Sequence, residues 1–470
     1  MRTLAAALCL LAGTASALEV TVYNSNLALV KEVRPFSLKN GINTVSVVDV
    51  AAQIDPTSVH FKSLTAPDAV AVLEQDFRYD LISQEKLLQR YLGKEIELQR
   101  YGSGGEKTER LRGTLLASAG GRILKVGDKL VLNPQGEAIL PELPEGLLTK
   151  PTLMWTLNSK KAGEHDGEIS YLTGGMSWNA DYVLVVDKDD AKADLNAWVT
   201  VANNSGATFK DAKLKLVAGD VHRAPQPQGF GRMAYKMAAP RAMEADSLGM
   251  TEKGFFEYHM YSLGRPTTLA ENSSKQVEMA AASNIPVRKI FTYDGVQGVQ
   301  WNSFGDAAYW DPNYGMSSEK KVDVHFEFEN RKSSSLGIPL PKGRVRVYKK
   351  DDDGSLQLAG EDAIDHTPKD EKVRVKMGEA FDLVGERKRT DFHSDVKGRR
   401  FEETFEVRVR NHKDSDATVV VVEHLYRWTN WKIIDASEKW TKKDAQTIEF
   451  PVTVKKDGEA VVTYTVKYSW

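Results

Sequence analysis

Three short stretches carry metal-ligating residue types, and none presents a chelating set. His165, Asp166 and Glu168 in "HDGE" sit on a polar stretch that reads as a solvated hairpin tip. Glu423 and His424 are adjacent in a strand-like run, so their side chains leave opposite faces and cannot grip one ion. "KKDDDG" (349–354) has Lys349 where a calcium loop of EF-hand type needs its first carboxylate. Nucleophilic chemistry has no signature either. There is no G-x-S-x-G elbow and no phosphate-binding or dinucleotide glycine loop, and the single cysteine, Cys9, lies in an apolar leader. The sequence therefore assigns no catalytic residue, metal ligand or cofactor.

Two groups of residues suit binding rather than catalysis. Six of the eleven methionines (Met233, Met237, Met243, Met250, Met260, Met279) fall within 233–279, with His222 and His259 nearby. Thioethers select soft Cu(I). Spacings of 4, 6, 7 and 10 lack a tight repeat, however, which favours a linker whose methionines cover apolar surface. All nine tryptophans lie at or beyond 155. Trp428, Trp431 and Trp440 cluster in "YRWTNWKIIDASEKW", and Trp301 and Trp310 flank a polar loop. Exposed aromatics beside Asn and Asp can stack on sugar rings, so these five are the candidate partner contacts. The competing assignment packs them at a sandwich edge.

The elements that must position such residues are mostly strands. Met1-Arg2, the apolar run Leu4–Leu11 and Ala15-Ser16-Ala17 read as a secretory signal peptide, too short to span a bilayer. The mature chain then begins at Leu18 in the periplasm or the medium and uses no disulfide. Losing Arg2 takes the net charge from −2 to −3, and both signs are spread along the chain. That excludes a nucleic-acid footprint, and no later run is long enough for a transmembrane helix. With 41% hydrophobic residues there is material for real cores.

Alternation with period two runs through "SWNADYVLVV" (177–186), "FEETFEVRVRN" (401–411) and "VVTYTVKYSW" (461–470), giving each an apolar face, which in the second lies opposite a charged one. Asn40-Gly41, Asp353-Gly354 and Asp457-Gly458 each separate two such runs and predict hairpins, the first with a type I′ turn. A short helix over 82–91, ending at Gly93, precedes about five short strands and is similar to a small Sm-like or SH3-like barrel. The segment 222–254, rich in Pro, Gly, Ala and Met, has no sustained period and reads as a mobile insertion. The expected fold is mainly β, made of antiparallel sandwiches. Its divisions are a signal peptide (1–17), an N-terminal β module (18–76), the small helix-plus-barrel module (77–150), a central β domain (151–316) and an immunoglobulin-like C-terminal sandwich (317–470).

The segments "YLTGGMSWNADYVLVV", "LNAWVTVANNSGATFKDAKLKLVAGDV", "YSLGRPTTLAENSSKQVEM", "LGIPLPKGRVRVYKKDDDG" and "VVVVEHLYRWTNWKI" carry a resemblance. Over roughly 150–470 the chain resembles a bacterial secreted family whose shared domain has no assigned function, typified by mucoidy-inhibitor proteins. Members usually carry a long coiled coil after their first strands. This chain has only the helix near 82–91, so a small barrel stands in that place. The resemblance implies a cell-envelope role and brings no catalytic residues with it.

Residues and resemblance together lead to a non-enzymatic extracytoplasmic envelope protein, binding or scaffolding a protein or a polysaccharide. An outer-membrane-embedded β-protein is the alternative, and a hydrolase with no visible motif stands behind it.

Overall fold

The structure is a computed structural model that describes residues 18–79, 83–101, 105, 107–142, 149–219, 221, 250–297, 315–316, 318–395 and 397–469. The leader, most of the methionine-rich segment, Trp301, Trp310 and Trp470 lie outside the described residues. Strand makes up 65% and helix 3%, so the fold is mainly β. No sheet closes into a barrel among the described residues. The chain divides into two compact units, one of residues 1–178, 201–242 and 260–275, the other of 179–200, 243–259 and 276–470.

In the first unit the N-terminal strand Glu19–Tyr23 lies between Leu27–Leu38, antiparallel, and Phe209–Ala218, parallel. Leu27–Leu38 continues to Gly163–Thr173 and that strand to His60–Ser63. A second, three-stranded sheet centres on Thr152–Ser159, flanked by Gly41–Val48 and Val70–Arg78. Phe61 sits between Phe36 and Trp155, at ring distances of 5.6 and 5.4 Å, and ties the two sheets together. Residues 18–76 are therefore not a sandwich of their own. Every strand in them pairs with one that lies beyond residue 150.

Within this unit the small module has the expected order. Ser83 caps the helix Gln84–Arg90 by accepting the Lys86 N–H, and five strands follow from Glu95–Tyr101 to Glu137–Ile139. Leu88, Tyr91, Ile96, Leu98, Leu115 and Leu124 make its core. The ladder runs Glu137–Ile139, Glu95–Tyr101, Lys107–Ala117, Ile123–Val126, Lys129–Leu132, and its two ends do not pair. The module is an open five-stranded sheet rather than the expected barrel.

In the second unit Met176–Val186 pairs in parallel with Gly343–Lys350, which forms a hairpin with Leu356–Ile364. The other sheet has nine strands, in the order Trp431–Ala436, Glu459–Ser469, Arg400–Asn411, Lys372–Asp395, Lys321–Glu329, Arg288–Asp294, Ala417–His424, Thr447–Val454, Thr441–Lys442. Arg288–Asp294 thus belongs with the strands beyond 317, so no domain edge falls at 316. Alternate residues Val462, Tyr464, Val466 and Tyr468 are at most 1% exposed, with Thr463, Thr465 and Lys467 turned the other way. The Tyr464 ring lies 5.4 Å from Phe405 on the neighbouring strand and 5.5 Å from Phe450 on a strand it does not pair with. The sheet therefore curls over one apolar core, with its charged face outside.

Two of the three expected hairpins are corners instead. Leu27–Leu38 and Gly41–Val48 enter different sheets, and of Asn40-Gly41 only Gly41 takes a positive φ, +90°, so the turn is not type I′. Asn43 closes that corner, accepting from Lys39 N–H and donating to its carbonyl. Thr447–Val454 and Glu459–Ser469 likewise part at Asp457-Gly458 and pair with Ala417–His424 and Arg400–Asn411. A Gly-containing turn reverses the chain, but burial on both sides decides whether its arms stay together. The hairpin at Asp353-Gly354 is as expected.

Candidate functional site

The aromatic cluster near the C-terminus has one outward-facing part. Trp428 is half-buried and packs against the nine-stranded core. Trp431 opens the edge strand Trp431–Ala436, which among the described residues pairs on one side only, with Glu459–Ser469. Its indole N–H donates to the Ala445 carbonyl over 2.9 Å, which fixes the ring. The Trp440 ring stands edge-on to it at 6.3 Å and is 36% exposed. Lys442 places its ammonium 5.0 Å from the centre of the Trp431 ring, within cation–π range. The short strand Thr441–Lys442 is the opposite edge of the same sheet. The two opposite edges of one curled sheet thus present a Trp pair with a lysine beside it, a shape suited to a flat ligand face carrying C–H groups.

Behind this edge lies a charged network inside the core. Arg387 Nε donates to both oxygens of Glu423 at 3.0 and 2.9 Å, and each side chain is 1% exposed. Tyr464 donates its hydroxyl to Glu423, and Arg387 Nη1 donates to the Gly315 carbonyl. The Arg387 guanidinium lies 4.0 Å from the centre of the Phe405 ring. Glu403, fully buried, receives Arg389 at 3.1 Å and pairs with Arg427 at 2.9 Å. Burial, reinforced by Glu423, holds the Tyr464 hydroxyl well above its ordinary range, so it stays a donor. Burial alone would weaken the proton on Arg387, but Glu423 and then Tyr464 outweigh it and keep the guanidinium charged. The network holds a buried charge pair in place; at these exposures no substrate reaches it.

The other sequence candidates resolve into structure. His165 is 1% exposed, with Nδ1 3.0 Å from the Ser63 hydroxyl and Nε2 2.9 Å from the Lys161 carbonyl. It is a core histidine, not part of a solvated tip, and the equally buried Ser63 is closed to a substrate. Glu423 and His424 do face opposite ways. His424 turns out to Asp294, with Nε2 2.9 Å from Oδ2, and that bond raises its pKa. Met260 and Met279 are core residues at 7% and 6% exposure, while Met233, Met237 and Met243 lie outside the described residues. No group of three metal-ligating side chains forms among the described residues.

The residues that sequence reasoning missed are three asparagines at strand ends. Asn203 donates to the Ala207, Leu269 and Ala270 carbonyls and accepts from the N–H and the hydroxyl of Ser205. Asn411 donates to Ser415, Val454 and Lys455 and accepts from Lys413 N–H. Asn330 donates to Ile338 and Pro368 and accepts from Gly337 N–H. All three are at most 1% exposed, and each satisfies carbonyls where the chain leaves a ladder. The signal was there to read: "ANNS", "ENRKS" and "RNHKDS" each put Asn last in an alternating run, with Ser close behind.

A family model described as a domain of unknown function (DUF4139) matches residues 168–470, a stretch holding the nine-stranded sheet, the Trp pair and all three asparagines. No curated protein matches the chain.

Proposed function

The chain belongs to the family defined by this domain of unknown function, DUF4139, and from that premise we propose that it is a non-enzymatic cell-envelope protein that binds a glycan. The Trp431–Trp440 pair carries the reading, since one ring is fixed by its N–H and the other presents 36% of its surface. Aromatic faces of this kind offer large, rigid contact area at little entropic cost. The leader-like pattern of residues 1–17 supports export to the periplasm or the medium. The mucoidy-inhibitor resemblance and an immunoglobulin-like description of the C-terminal sandwich belong to the same proposal.

The test uses the exported full-length mature chain, run through native gels containing soluble polysaccharides. Retardation by a polysaccharide, lost in Trp440→Ala with an unchanged melting temperature, is the expected result. Equal mobility of wild type and Trp440→Ala in every gel refutes the assignment. Intact mass of the exported product should begin at Leu18; a folded exported chain that keeps residues 1–17 overturns the compartment.

A further inference from the structure

Resting on the glycan reading of the Trp431–Trp440 edge, we propose that its ligand is an acidic sugar polymer, bound through carboxylates. The charges around the pair are unevenly satisfied. Lys443 is held by Glu449 at 2.8 Å, and Lys467 by Glu402 at 3.1 Å. Lys432, Lys439 and Lys442 are exposed and have no ion-pair partner among the described residues. All three lie within two residues of Trp431 or Trp440. Lys442 is also fixed in direction, because its ammonium stays over the Trp431 ring.

None of the local carboxylates forms an ion pair with these three lysines. Asp444 accepts from Gln446 N–H, and Glu449 holds Lys443. Asp435 and Glu438 are exposed and make no ion pair with the three lysines. A neutral sugar would use the ring faces and leave three ammonium groups unanswered. A uronic-acid unit stacks the same C–H face on Trp440 and sets its carboxylate at Lys442, an ion pair strengthened where the ring excludes water on one side. Edge strands blunted by lysine also resist sheet-to-sheet aggregation. That role needs charge anywhere along the strand and does not require an ammonium parked over an indole.

The experiment compares each polymer with its uncharged twin. Polygalacturonate and hyaluronate, each beside its methyl ester, are titrated into the full-length mature chain while tryptophan fluorescence is followed. Tight binding of an acid form over its ester, weakening as salt rises, is expected. Lys442→Ala should lose about fivefold for the acid form only, the effect of one exposed charge pair worth roughly 1 kcal/mol. Trp440→Ala should lose both forms, and Lys443→Ala, whose ammonium already has Glu449, neither. Equal affinity for acid and ester, or an unaltered Lys442→Ala, overturns the acidic ligand and leaves the glycan reading standing. Binding of neither form by wild type removes both.

Discussion

Glu423→Leu leaves the Arg387 guanidinium in the core without its carboxylate, and this variant tests the physical account of the second unit most sharply. Both side chains are 1% exposed, so water cannot replace the lost partner. Breaking a buried pair from one side costs roughly 3–5 kcal/mol. At about 2–4 °C per kcal/mol for a unit of this size, the melting transition should fall by roughly 6–20 °C. Arg387→Leu should cost a similar amount, since it leaves Glu423 with only the Tyr464 hydroxyl. The double variant carries no buried charge at this point and leaves two groups short of a partner, Tyr464 and the Gly315 carbonyl. It should lose less than either single change, because about 1–3 kcal/mol for each of those two groups is offset by no longer burying charge. The network is imperfect among the described residues: Arg387 Nη2 and Glu403 Oε2 find no hydrogen-bond partner there. Urea unfolding of the four proteins, followed by near-UV circular dichroism, gives the coupling energy. A double variant no more stable than the singles would refute the argument that an unpaired charge, rather than lost packing, sets the cost.

Other outcomes follow from single contacts. His424 is raised above its ordinary value of 6.5 by its bond to Asp294, so its stabilisation is full below about 6.5 and fades as pH rises through the higher folded value. Asp294→Asn should flatten that part of a stability-versus-pH curve; an unchanged curve would discard the pair. Asn411→Ala removes the side-chain donor from three carbonyls, one of them buried, and should cost roughly 2–4 kcal/mol in urea titration. A Cβ on Gly385 would lie 2.0 Å from the Tyr293 ring, so Gly385→Ala should cost roughly 1–3 kcal/mol and disturb the near-UV signal of that tyrosine.

Several features were legible without coordinates because they depend on neighbours in sequence. Alternation marks Glu459–Ser469 as a strand with one buried face, and Val462, Tyr464, Val466 and Tyr468 are buried as the pattern requires, Trp470 lying outside the described residues. Gly93 ends the helix of the small module at a positive φ, which is a local requirement. The face rule for Glu423 and His424 also holds, because successive side chains in a strand diverge. Local pattern could not show which strands would pair. Glu19–Tyr23 finds Lys213–Val217 across nearly two hundred residues, and the arms of Asp457-Gly458 go to different partners. Nor does spacing bring Arg387 to Glu423, or set Trp440 edge-on to Trp431 with Lys442 alongside. Hydrogen-bond periodicity and turn preference act over a few residues and are written into any short stretch. Strand pairing, buried charge and a surface platform depend on which apolar faces cover one another, a choice made by the whole chain at once.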